Sequence, residues 1–135
     1  MREIKFRAWV DCPDIREVVT GKHKAFMHDE VDDIDFRYGN LYFGQGFYCP
    51  LKYVTLLQYT GLKDKNGKEI YEGDIIKNGS TYPNDPKYIT IVWNERDGAF
   101  HGKVGVGRLP MSCAHWFYGD CEVIGNIYEN PELLK

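Results

Sequence analysis

Asn66-Gly67 lies between Leu62-Lys63-Asp64-Lys65 and Lys68-Glu69-Ile70-Tyr71, and this pair constrains the path of the chain more than any other local feature. Asn-Gly is the strongest short-range signal for a two-residue hairpin turn, because both central residues of that turn take positive φ. The chain is therefore expected to reverse here. Upstream, residues 53–60 are rich in β-branched and aromatic side chains. As a strand they offer Val54 and Leu56 to one face and Tyr53, Thr55, Leu57 and Tyr59 to the other. Downstream, Glu72-Gly73-Asp74 supplies a second turn, since Gly tolerates positive φ and Asp bonds its local backbone. Ile75-Ile76-Lys77 then reads as a further short strand.

The same patterns recur along the chain. Residues 3–9 alternate, with Ile4, Phe6 and Ala8 toward one side and Lys5 and Arg7 toward the other, as a half-buried strand requires. Ala25 to Met27, Ile34 to Tyr38, Leu41 to Phe43 and Phe47 to Cys49 are short β-prone pieces split by Gly39-Asn40 and Gly44-Gln45-Gly46, which suggests a meander. Ile89, Ile91 and Trp93 alternate with Thr90 and Val92, Asp97-Gly98 marks a hairpin turn, and Ala99-Phe100 opens the return strand. Glu122 to Tyr128 forms a last strand. Asn130-Pro131-Glu132 has the order of a helix start, with Asn130 as cap, but too little chain remains for more than about one turn. Cys12 to Lys24 fits either a helical turn or a strand, and Gly79 to Pro86 reads as a long connection.

Many short strands separated by turn residues predict a mainly β fold, or a β-rich α+β fold, of antiparallel strands and hairpins. The order from Glu72 to the return strand after Asp97-Gly98 resembles, by analogy, a Src-homology-3-like barrel half toward the C-terminus. At 135 residues the chain is sized for one domain, or for two packed lobes of about 1–60 and 61–135. No apolar run approaches the ~18 residues of a membrane span. The first residues have neither the apolar core of a secretory signal nor the acid-free look of a transit peptide, so cytoplasmic residence is expected. The net charge of −3 gives no general attraction to phosphate backbones. Cys12, Cys49, Cys113 and Cys121 are irregularly spaced and are expected to be free thiols.

Residues 58–77, QYTGLKDKNGKEIYEGDIIK, closely resemble the central motif of the YopX-like family of small proteins encoded mainly by bacteriophages and prophages. The opening Met1-Arg2-Glu3-Ile4-Lys5-Phe6-Arg7-Ala8-Trp9 and the closing Glu122 to Leu134 resemble the two ends of the same family, so the resemblance spans the chain. It departs after Trp9, where the family tends to place an Asp directly and this chain has Val10 before Asp11. The resemblance implies an accessory protein of a phage or prophage within a host bacterial cell. It names no activity.

Four constellations carry candidate chemistry. Lys63, Lys65 and Lys68 flank the hairpin tip beside Tyr59 and Tyr71, an arrangement suited to stacking single-stranded bases and contacting phosphates, although Asp64 and Glu69 cancel much of the field. Lys near a strand edge also serves simply to keep it soluble. Cys113-Ala114-His115 with Cys121, and His101 as a fourth, offers metal-ligand types without the paired spacing of a structural zinc site. Asp29-Glu30, Asp32-Asp33 and Asp35 concentrate carboxylates but lack the central Gly of a calcium loop, and read first as a solvated face. The glycines 39, 44 and 46, and 102, 105 and 107, have no Gly-Lys-Ser/Thr sequel and read as turn and bulge residues.

With no catalytic triad or phosphate loop assembled by spacing, the expectation is a non-enzymatic protein without cofactor or bound metal. It would act through contacts with a host or phage protein and as a homo-oligomer. The alternative is a nucleic-acid-associated regulatory module built on the barrel-like half. A metal-dependent hydrolase on residues 29–35 is the remote third.

Overall fold

The computed structural model describes residues 3–13, 24–43, 46–104, 111–112 and 120–134. All paired strands among these residues are antiparallel. The chain divides into two compact units, Glu3–Gln58 and Tyr59–Lys135.

In the first unit, β1 (Phe6–Val10) pairs on one side with β2 (Phe26–His28) and on the other with the first half of β6 (Val54–Lys63). A meander follows β2 in sequence: β3 (Asp33–Asp35), β4 (Asn40–Tyr42) and β5 (Tyr48–Pro50) form a three-stranded sheet in that order. A single 3-10 turn over Leu51–Tyr53 leads into β6. Alternation decides what is buried. Ala8 and Val10 from β1, Leu41 from β4 and Cys49 from β5 join Cys12 in one cluster, against which Phe26, Ile34, Phe43, Val54 and Leu56 pack. The first strand starts later than its pattern suggests, and Ile4 is exposed while Arg7 is buried. Periodicity fixes which residues share a face but not which face finds a partner, and here β2 and β6 begin only at the level of Phe6 and beyond.

In the second unit, the far half of β6 pairs with β7 (Glu69–Tyr71). The rest forms a curled, half-barrel sheet of five strands. These are β8 (Asp74–Lys77), β9 (Tyr88–Asn94), β10 (Ala99–Lys103), β11 (Met111–Ser112) and β12 (Glu122–Asn126), in the spatial order β11-β10-β9-β8-β12. Its core gathers Ile70, Ile76, Ile91, Cys121 and Val123, with Phe100 packed against them.

Several turns differ from their expected form. The β9–β10 connection is a hairpin, but its loop has four residues, Glu95 to Gly98, because Asn94 organises it: its carbonyl accepts from Gly98 N–H and its Oδ1 from Asp97 N–H. Asn130 does not cap the final 3-10 turn (Pro131–Leu134) with its side chain. Its Oδ1 reaches back to accept from Asn126 N–H at 3.2 Å, and Asn126 Oδ1 in turn accepts from Tyr128 and Glu129. The Cys12–Lys24 stretch lies mostly outside the described residues.

Candidate functional site

The hairpin of β6 and β7 is built around one carboxylate. Asp64 is buried, and its Oδ1 accepts the N–H groups of Asn66 at 2.8 Å and Lys68 at 2.9 Å. Its Oδ2 accepts Val123 N–H, from β12, at 3.0 Å. Asp64 N–H donates to the Lys68 carbonyl and Gly67 N–H to the Asp64 carbonyl. The tip is thus a three-residue loop, Lys65-Asn66-Gly67, and not the two-residue turn that Asn-Gly alone predicts. Gly67 takes φ 80°, the left-handed residue that closes such a loop. The reason is Asp64: by gathering two local N–H groups it stabilises a wider turn than the mirror-image one.

Burial acts to raise the Asp64 pKa, but the N–H donors of Val123, Lys68 and Asn66, with the Lys68 charge, more than offset it and hold the carboxyl below its ordinary value. Lys65 N–H donates to the Cys121 carbonyl at 3.0 Å. One side chain and one backbone bond therefore tie the hairpin tip to the strand that closes the sheet. A further irregularity lies in β6, where register shifts between Tyr59↔Tyr71 and Lys63↔Glu69. Gly61, at φ 87°, absorbs the extra residues, and Thr60 Oγ1 donates to the Ile70 carbonyl at 2.7 Å. A Gly inside a strand pattern is the signal for such a bulge.

This geometry separates the five residues of the nucleic-acid reading. Lys63, Lys65 and Lys68 are exposed, and Lys65 Nζ stands 3.6 Å from Glu122. Tyr59 and Tyr71 are only 4% and 8% exposed. Their rings pack on each other at 5.5 Å, and Tyr71 Oη donates to Glu69 Oε2 at 3.0 Å. Rings in that position are core, and offer no face on which a base could stack. The cross-strand register pairs Tyr59 with Tyr71, and both side chains are buried.

The other candidates fare as follows. Among the described residues no three of His, Cys, Asp and Glu gather as a metal site, so the acids from Asp29 to Asp35 do not close into a cage. Cys113 and His115 lie outside the described residues. Cys12, Cys49 and Cys121 are buried and belong to no disulfide. Burial pushes the Cys121 thiol pKa up, and the Asp64 and Asp120 carboxylates push the same way. We therefore expect native Cys121 to resist iodoacetamide at pH 8, with peptide mass mapping showing alkylation only as the protein is unfolded. His101 is buried, with Nε2 3.3 Å from Asp97 Oδ2.

A second surface, carried by no sequence motif, lies in the first unit. Ile34, Leu41 and Cys49 share the inward face of the β3–β4–β5 sheet, so the register puts Asp33, Tyr42 and Tyr48 in one row on the opposite face, with Asp35, Asn40 and Pro50 in the next. The Tyr42 and Tyr48 rings lie 6.0 Å apart, and Tyr48 is 55% exposed. At the β3–β4 turn, Asp35 Oδ1 accepts the N–H groups of Arg37 and Tyr38, a local bond that holds Phe36 and Tyr38 outward at 75% and 71% exposure. Arg37 sits over the Tyr38 ring at 5.6 Å.

Comparison with known proteins bears on family and fold. The profile of the family described as YopX protein matches residues 5–135. Among solved structures, the chain is similar to protein EF1440 from Enterococcus faecalis, with a TM-score of 0.56 at 24% identity, covering 100% of both chains. At that identity the likeness speaks for the fold. No curated protein matches the chain.

Proposed function

The chain belongs to the YopX protein family, and on that footing we propose that it is a phage- or prophage-encoded accessory protein, non-enzymatic, acting through protein contacts and as a homo-oligomer in the cytoplasm of a host bacterium. The observation that carries this reading is the set of large aromatic side chains left in solvent in the first unit, Phe36, Tyr38 and Tyr48. Scattered exposed apolar residues are ordinary, but aromatic residues grouped on one sheet and its adjoining turn mark surfaces that other proteins cover. The Asp64 carboxylate in the hairpin and the Cys121 thiol beside it are committed to structure, the first by three N–H donors and the second by burial. Both observations favour contact over catalysis.

The test is mass. Light scattering of the purified chain over the micromolar range is expected to give a multiple of 15.7 kDa, and a strict monomer throughout would remove the homo-oligomer. Affinity capture from bacterial cells carrying the phage is expected to retain a host or phage protein in fixed ratio. Turnover of a substrate by the purified chain would overturn the non-enzymatic part.

A further inference from the structure

We infer that the outer face of the β3–β4–β5 sheet, with Tyr42, Tyr48 and Asp33 in one row, is a docking surface for an arginine-bearing segment of a protein partner. This deepens the reading of the chain as one that acts through protein contacts, and rests on it. Three observations select this occupant. The first is the aromatic pair: two tyrosine rings 6.0 Å apart, with Tyr48 half in solvent, present π-faces. Such faces attract a cation through the ring quadrupole, and a flat guanidinium better than an ammonium because it also stacks. The second is charge. Between Asp29 and Pro50 the sequence places five carboxylates, Asp29, Glu30, Asp32, Asp33 and Asp35, against the single cation Arg37. Asp33 is exposed and stands directly opposite Tyr42 in the register. Among the described residues no ion pair engages it. A carboxylate beside two rings suits a guanidinium, which takes the fork of the carboxylate and the face of the ring together.

The third observation is internal. Arg37 already lies over the Tyr38 ring at the β3–β4 turn, so a guanidinium-on-tyrosine contact of the proposed kind occurs once within the chain itself. The same field argues against other occupants. Phosphate backbones are repelled by five carboxylates, and a purely apolar partner would bury Asp33 without a counter-charge, which is costly.

The test uses the full chain, isotope-labelled, titrated with an oligo-arginine peptide, an oligo-lysine peptide of equal length and a single-stranded oligonucleotide. The arginine peptide is expected to shift the amide resonances of Asp33, Tyr42 and Tyr48, to bind more tightly than the lysine peptide, and to weaken with added salt. Asp33→Asn and Tyr48→Ala are each expected to weaken it about five-fold. Tyr48→Leu, which keeps apolar bulk without the ring's quadrupole, is expected to weaken it as well. These positions are exposed, so an unchanged thermal midpoint checks that folding is intact. Equal binding of both peptides, unaffected variants, or an oligonucleotide shifting the same residues would overturn the assignment. Light scattering of the wild type beside the titration separates the two readings: a wild-type oligomer that fails to bind the arginine peptide overturns this face alone, whereas a wild-type monomer that still binds the peptide overturns only the homo-oligomer.

Discussion

Asp64→Ala is expected to destabilise the protein by about 3 kcal/mol, because three backbone N–H groups lose their acceptor at once and each buried donor left unsatisfied costs about 1–3 kcal/mol. Those of Asn66 and Lys68 are partly solvated and recover some of this from water, while Val123 N–H is buried. Asp64→Asn is isosteric and is still expected to be damaging. An amide carries one acceptor oxygen, so either Val123 or the pair Asn66 and Lys68 would face an NH2 group. Urea denaturation followed by circular dichroism measures both, and a shift under about 1 kcal/mol for the alanine variant would show that the network is not a structural centre.

The same carboxylate predicts a pH dependence. Its folded pKa is lowered from an unfolded value of about 3.9. The contribution is therefore present in full above about pH 4, and is lost as pH falls from there through the folded pKa. The wild type should lose stability more steeply than Asp64→Ala over that acid range. Parallel curves would mean that Asp64 titrates alike in both states.

Ile91→Ala is expected to cost about 2–5 kcal/mol, the range for truncating a large aliphatic side chain in a packed core. Ile91 sits on β9, with β8 on one side and β10 on the other, and packs with Ile70, Ile76, Cys121, Val123 and Phe100. Strands hydrogen-bonded on both sides cannot easily close the void, which favours the upper part of the range. Ile91→Val, which removes one methyl group, should cost about 1 kcal/mol. The midpoint in urea should fall with the slope unchanged, and an alanine variant within about 1 kcal/mol of wild type would mean that the site collapses around the gap.

The strands themselves were legible because a strand's period is local. Residues 40–42, 88–94 and 122–126 announce themselves through alternation and β-branched or aromatic content, and the meander of β3 to β5 follows from the glycines between its pieces. Turn positions were legible for the same reason, but turn forms were not. Asn66-Gly67 points to a two-residue turn, and only the bonds from Asp64 to Asn66 and Lys68 widen it to three. Asp97-Gly98 does mark a hairpin turn, and its four-residue form is set by the carbonyl and side chain of Asn94.

The candidate site shows the limit more sharply. Tyr59 and Tyr71 look like exposed companions of the tip lysines when read in order, yet register turns both rings inward. Tyr42 and Tyr48 look like ordinary strand tyrosines, and they face out beside Asp33 because Leu41 and Cys49 take the core.

By itself, the sequence determined the β class of this protein, the placement of most strands, the reversal at residues 64–68 and its family likeness, since each rests on short-range backbone preference or on a contiguous motif. The tertiary structure alone decided that Asp64 joins the hairpin to Val123, fifty-nine positions away, and which aromatic rings meet solvent. Alternation states that neighbouring side chains point to opposite faces, but only pairing with strands distant in sequence decides which of those faces is buried.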